Sequence, residues 1–88
     1  MTARPAASVP PRVTLLTRRH CSLCDTAANA VRRICGELDV GWTSHDVDTD
    51  PELRAEYGDR VPVILIDGRE HGYWRVEEDR FRAALAQL

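Results

Sequence analysis

Lysine is absent from this chain: all twelve basic side chains are Arg, against fourteen acids, for a net charge of −2. No global positive field therefore draws it to a nucleic acid or an anionic membrane surface. No apolar run approaches the ~18 residues that a membrane-spanning helix needs. The stretch from Met1 to Arg12 holds Pro5, Pro10 and Pro11 among Ala, Ser and Thr, where a signal peptide would carry a continuous apolar segment. The expected location is the cytoplasm, where thiols are kept reduced. Cysteine is scarce and odd in number, at three, which argues against a disulfide framework. His45 and His71 stand alone, so His20 with two cysteines falls short of the roughly four ligands of a zinc site. Only a metal shared between two chains stays open. The all-arginine bias fits a GC-rich genome and carries no chemistry by itself.

What is present is enough for one small domain. At 88 residues, 43% hydrophobic and 30% charged, the composition is that of an ordinary globular protein. A chain of this size buries only about 60–65% of its unfolded surface, so its stability margin is thin. The proline-rich residues 1–11 are expected to be a disordered tail, and residues 12–88 the folded domain.

Val13 to Thr17 is β-branched and apolar on both faces, the pattern of a buried central strand. From Leu23 the apolar positions Leu23, Ala27, Ala28, Val31, Ile34, Cys35 and Leu38 follow helical spacing, opposite Asn29, Arg32 and Arg33. That helix is expected to end near Gly36 or a few residues beyond. Gly41 to Val47 is a second, less buried strand. Asp50 is then an N-cap, with Pro51 at the first helical position and Glu52 at the positive end of the dipole. This short helix, bearing Leu53 and Tyr57, closes at Gly58. Val61 to Ile66 is the most β-prone run, and Asp67-Gly68 turns it into an antiparallel partner over Arg69 to Trp74. Val76 to Leu88 is a last helix with Phe81, Ala84, Leu85 and Leu88 on one face. The order β-α-β-α-β-β-α makes one α/β domain, a four-stranded mixed sheet flanked by three helices.

The chemistry concentrates in His20-Cys21-Ser22-Leu23-Cys24, a Cys-x-x-Cys at a strand-to-helix junction. Free N–H groups and the dipole at a helix start stabilise an anion, and this placement lowers a thiol pKa from about 8.5 into the 3.5–7.5 range. Arg18, Arg19 and His20 add positive charge, and Asp25 opposes it slightly. Cys21 is therefore the expected nucleophile. Cys24, one turn deeper, is the resolving thiol that closes the internal disulfide. Cys35 lies eleven residues beyond Cys24, about 16 Å along a helix. That exceeds the ~7 Å Cα separation a disulfide spans, which leaves Cys35 as a small core residue.

This order of elements resembles the thioredoxin fold in its glutaredoxin form. The shared features are Cys-x-x-Cys after the first strand, Val61-Pro62 opening the third and the Ile66-Asp67-Gly68 hairpin. The likeness extends to the small glutaredoxin-like proteins, whose middle is similar to Asp46-Val47-Asp48-Thr49-Asp50-Pro51-Glu52-Leu53. It covers roughly Arg12 to Leu88. It implies that Pro62 is cis and faces the cysteines, and that the Val61 backbone pairs with substrate. It also implies that Arg18 and Gly72 contribute to substrate binding, Arg18 as the basic residue that meets glutathione.

The chain departs from that family at informative places. Ser22-Leu23 replaces the usual Pro-Tyr, Arg60 the usual Thr, and Gly72-Tyr73-Trp74-Arg75 the Gly-Gly-acid segment that helps hold glutathione. Three electron donors stay open: glutathione, mycothiol, or thioredoxin reductase with NADPH. No bound cofactor and no metal are expected. The expected substrate is a disulfide-containing protein or a low-molecular-weight thiol, met by a single copy of the chain. Tyr73 and Trp74 offer an aromatic surface to a protein partner or plug the end of the sheet. The competing reading is a non-catalytic binding domain with the cysteine pair as a redox-sensitive contact or an inter-chain metal site.

Overall fold

The computed structural model describes residues 11–87. The expected tail, apart from Pro11, and Leu88 lie outside the described residues. The strands are β1 (Val13–Thr17), β2 (Trp42–Asp46), β3 (Val63–Ile66) and β4 (Arg69–Tyr73). The helices are α1 (Ser22–Leu38), α2 (Pro51–Tyr57) and α3 (Glu78–Ala86), with a 3₁₀ turn over Val47–Thr49 before α2. The sheet runs β2-β1-β3-β4. β1 is parallel to β2, antiparallel to β3, and β3 is antiparallel to β4. The β-α-β-α-β-β-α order and mixed sheet are those expected from the sequence.

Strand β1 is central, and its consecutive Leu15 and Leu16 point to opposite faces. Leu15 joins Val13, Ile64, the α1 residues Ala27, Val31, Ile34 and Cys35, and Phe81 and Leu85 of α3 in the larger core. Leu16 joins Val47 and Val63 in a smaller core, covered by Leu53 and Tyr57 of α2. Each fully buried Leu, Ile or Phe contributes about 1.5–3 kcal/mol relative to leaving it in water, so both layers are needed in a domain this small. The sheet thus has α1 and α3 on one face and α2 on the other.

Helix boundaries follow their caps. Asp50 Oδ1 accepts from the backbone N–H of Glu52 and of Leu53, starting α2. α1 outlasts Gly36 and stops where Asp39 turns left-handed at φ 58°. Gly58 closes α2 in a right-handed conformation, φ −59°, not the left-handed cap that glycine commonly supplies. Its lack of a side chain has another cause: a Cβ there would sit 2.6 Å from the Arg54 carbonyl oxygen. The Asp67-Gly68 hairpin has positive φ at both residues, 52° and 83°, as a type I′ turn requires.

Several boundaries differ from the sequence pattern. The buried stripe of α1 begins at Cys24, and Leu23 and Leu38 are 54% and 40% exposed. At 100° per residue Leu23 falls off the sheet-facing side, although its spacing to Ala27 is helical. β3 starts only at Val63, because Pro62 has no N–H to donate to a ladder. β4 ends at Tyr73, where Trp74 takes a φ of 72° and breaks the extended run.

Candidate functional site

The end of the sheet where β1 stops and α1 begins carries the cysteines. His20 takes a φ of 56°, turning the chain so that Cys21 becomes the N-cap of α1. The backbone N–H of Cys24 donates to Cys21 Sγ at 3.1 Å, and that of Asp25 donates to the Cys21 carbonyl at 3.1 Å. The two sulfurs lie at disulfide distance, with Cα atoms 5.2 Å apart. Cys21 is half-buried at the surface, and Cys24 is 2% exposed. One sulfur is open to a reactant while the other waits beneath it. Sulfur at a helix N-cap accepts backbone N–H bonds that favour its anion over the neutral thiol.

Cys35 contrasts with this pair. It is 1% exposed within the core, and burial pushes its thiol pKa up to about 11. It is chemically quiet, as its place on the apolar helix face suggests.

A shallow groove of about 590 Å³ runs past Cys21. Arg18, Arg19, His20 and Leu23 line one side; Asp48, Gly58, Asp59 and Val61 line the other. The Val61–Pro62 peptide bond is cis, as the resemblance implies, and Pro62 is fully buried. Among the described residues, neither the N–H nor the C=O of Val61 has a hydrogen-bond partner. These two groups are open to pair with an extended chain laid in the groove.

The other proposed binding residues are placed less simply. Arg18 lines the groove, yet its guanidinium is engaged by Asp48 (Nε–Oδ2 3.1 Å) and by the Gly58 carbonyl (3.3 Å). Gly72 is not in this groove. It pairs with Ile64 inside the sheet and lines a separate cleft of about 530 Å³ with His71, Tyr73, Trp74 and Arg80. The β3–β4 pairing shifts register between Ile64 and Leu65, and it is Trp74 whose N–H meets the carbonyl of the cis proline. Sequence reasoning missed Asp48 and Gly58. Both are brought in by α2 packing, thirty and forty residues from Arg18 along the chain, and no local pattern announces that.

Next to the groove, Leu23, Thr26, Ala27, Ala30, Trp74 and Val76 border a pit of about 110 Å³. Trp74 and Tyr73 are 55% and 46% exposed and meet edge-to-face with ring centroids 5.0 Å apart. The sheet end thus presents two partly exposed aromatic rings. Among the described residues, no three His, Cys, Asp or Glu side chains gather as around a metal ion.

Comparison with known proteins agrees with this geometry. Residues 12–86 match the model of the family described as glutaredoxin-like domain (DUF836). The chain is 46% identical over 82 residues to the uncharacterized protein Rv0508 of Mycobacterium tuberculosis, covering 88% of this chain and 84% of that one. It is similar to the X-ray structure of target protein XcR50 from X. campestris, at 35% identity and a TM-score of 0.70, over 86% of this chain and 97% of that one. The thioredoxin of Fasciola hepatica shares the fold at a TM-score of 0.58 and 24% identity, over 85% of this chain and 77% of that one. With its thioredoxin-like sheet and its cysteine pair at the start of α1, the chain belongs to the glutaredoxin-like (DUF836) family.

Proposed function

We propose that this protein is a cytoplasmic thiol–disulfide oxidoreductase that reduces protein or mixed disulfides with Cys21 and Cys24. The observation that carries this reading is the pairing of an accessible N-cap Cys21, whose sulfur accepts the Cys24 N–H at 3.1 Å, with a Cys24 buried directly beneath it. In the reduced form the Cys21 thiolate attacks one sulfur of a substrate disulfide. A bond forms between Cys21 and that sulfur, the substrate S–S bond breaks, and the departing thiolate takes up a proton. Cys24 then gives up its proton and attacks Cys21 Sγ. The Cys21–Cys24 disulfide forms and the second substrate thiol leaves. The substrate gains the two electrons that the dithiol loses.

Val61 supports this chemistry by offering unpaired backbone groups across the groove from Cys21. The exposed Leu23, Tyr73 and Trp74 favour a protein substrate, since aromatic residues concentrate where proteins meet. Regeneration needs a dithiol-equivalent donor: glutathione, mycothiol, or thioredoxin reductase with NADPH. The test is turnover of a protein disulfide with each donor in turn. One donor is expected to sustain turnover that disappears in Cys21→Ser. No turnover with any of them would leave a non-catalytic binding domain in its place, and full activity in Cys21→Ser would overturn the role given to Cys21.

A further inference from the structure

Arg18 is spread across the site in a way that a substrate ligand would not be. Nε and one terminal nitrogen grip both oxygens of Asp48 at 3.1 Å, the two-pronged geometry in which a guanidinium matches a carboxylate. The other terminal nitrogen donates to the Gly58 carbonyl at 3.3 Å. Asp48 precedes α2 and Gly58 follows it, so one side chain from the Cys21 loop fastens that loop to both ends of α2. Asp48 is itself fixed, its N–H donating to Asp46 Oδ1 at 2.8 Å. Three residues past Gly58, the Val61 wall is also braced. Arg60 binds both Glu70 oxygens at 3.1 and 3.0 Å and the Glu56 carbonyl at 2.9 Å.

We infer that Arg18 and Asp48 are positioning residues that set the separation between Cys21 and the Val61 backbone, and that Arg18 is not a carboxylate subsite. This rests on the dithiol reading above, in which substrate meets the Val61 backbone; what it adds is the brace that holds that wall against Cys21. A substrate carboxylate reaching Arg18 has to displace Asp48 from a fork that is already matched. The neighbouring Arg19 has no ion-pair partner among the described residues. It can meet an anion but braces nothing.

The variants Asp48→Asn, Arg18→Lys and their combination test this. They change a half-exposed surface pair, so the fold is expected to persist. Two readouts are used. The first is heteronuclear NMR of the reduced protein, independent of turnover. Asp48→Asn is expected to speed exchange of the Arg18 Nε proton and to shift amide signals on both walls, at 18–22 and 58–61. Shifts confined to residues 46–50 overturn the brace. The second is kinetics on a neutral peptide mixed disulfide and on the same peptide joined to glutathione. Each single variant is expected to raise KM for the neutral substrate about tenfold while kcat changes far less. The double variant should lose no more than either single one, because one contact is being removed. If Asp48→Asn instead improves the glutathione-linked substrate while Arg18→Lys impairs it, Arg18 is a carboxylate ligand and the inference is wrong. Failure of the dithiol reading shows separately, as absent turnover in the unaltered protein, with the NMR readout still deciding the brace.

Discussion

Trp74 donates its backbone N–H to the Pro62 carbonyl at 2.7 Å, fastening the aromatic turn to the segment beside the cysteines. That bond needs only backbone, whereas the left-handed φ of 72° at Trp74 is costly for a residue with a side chain, by roughly 1–3 kcal/mol. A bulky ring kept in that conformation and 55% exposed buries little to offset that cost. Trp74→Gly is therefore expected to keep or raise the denaturation midpoint. It should weaken kcat/KM for a protein disulfide by about fivefold or more, the ~1 kcal/mol scale of an interface tryptophan. Unchanged kinetics together with a lower midpoint would make the ring a structural plug.

The cysteines should separate by reactivity. With Cys21 at the N-cap and Cys35 pushed up to about 11 by burial, the reduced native protein is expected to react rapidly at Cys21 near neutral pH. Cys24 should follow slowly and Cys35 only after denaturation. Mass spectrometry of a timed alkylation gives the order directly. A Cys21 rate that rises with an apparent pKa near 8.5, that of an ordinary free thiol, would contradict activation by the helix start.

The sequence disclosed what depends on neighbours in the chain. Asp50-Pro51 marks a helix start because the cap and the fixed φ act within four residues, and Asp67-Gly68 marks its hairpin for the same reason. The thiol at the N-cap was legible because the strand and helix patterns meet at Cys21. Helical spacing puts Leu23 with the buried face, yet it is 54% exposed, because spacing fixes a stripe only to within a residue. The packing of α1 on β1 decides which side faces inward. The engagement of Arg18 is not legible in sequence, because its partners, Asp48 and Gly58, arrive from a different element. That Gly72 lines a cleft separate from the Cys21 groove depends on the β3–β4 register, which a pattern of residues does not show.

The Arg60–Glu70 pair gives a pH dependence. Arg60 hydrogen bonds hold the Glu70 carboxyl below its ordinary value. A carboxylate whose pKa is lower in the folded state contributes stability above its unfolded pKa and loses it as pH falls through the folded one. Both side chains are about one-third exposed or less, at 28% and 32%, so screening keeps the contribution within the ~0.2–1 kcal/mol scale of surface pairs. Glu70→Gln is expected to lower stability by about that amount at pH 7. The gap to the unaltered protein should begin to narrow as pH falls past about 4.3, the ordinary glutamate value, and close only below the lower folded one. Urea denaturation of both proteins at several pH values measures it, and a gap independent of pH would assign the loss to packing.

Two glycines that look alike in sequence should respond with opposite signs. Gly36 lies inside α1 on the exposed side, with nothing within 4 Å of where a Cβ would stand. Gly36→Ala there gains helix propensity and is expected to stabilise by roughly 0.5–1 kcal/mol. Gly58 has an ordinary helical φ of −59°, so backbone preference alone would favour Ala at that position too. The added Cβ, however, meets the Arg54 carbonyl oxygen at 2.6 Å, and that atom is backbone and cannot rotate away. Gly58→Ala is expected to destabilise by about 1–3 kcal/mol, the usual scale of overpacking. Because the Gly58 carbonyl accepts from Arg18, its displacement should also disturb the amide signals of 18–22. Chemical denaturation of the two variants side by side decides the matter. Equal shifts of the same sign would mean that close approach at Gly58 relaxes without cost.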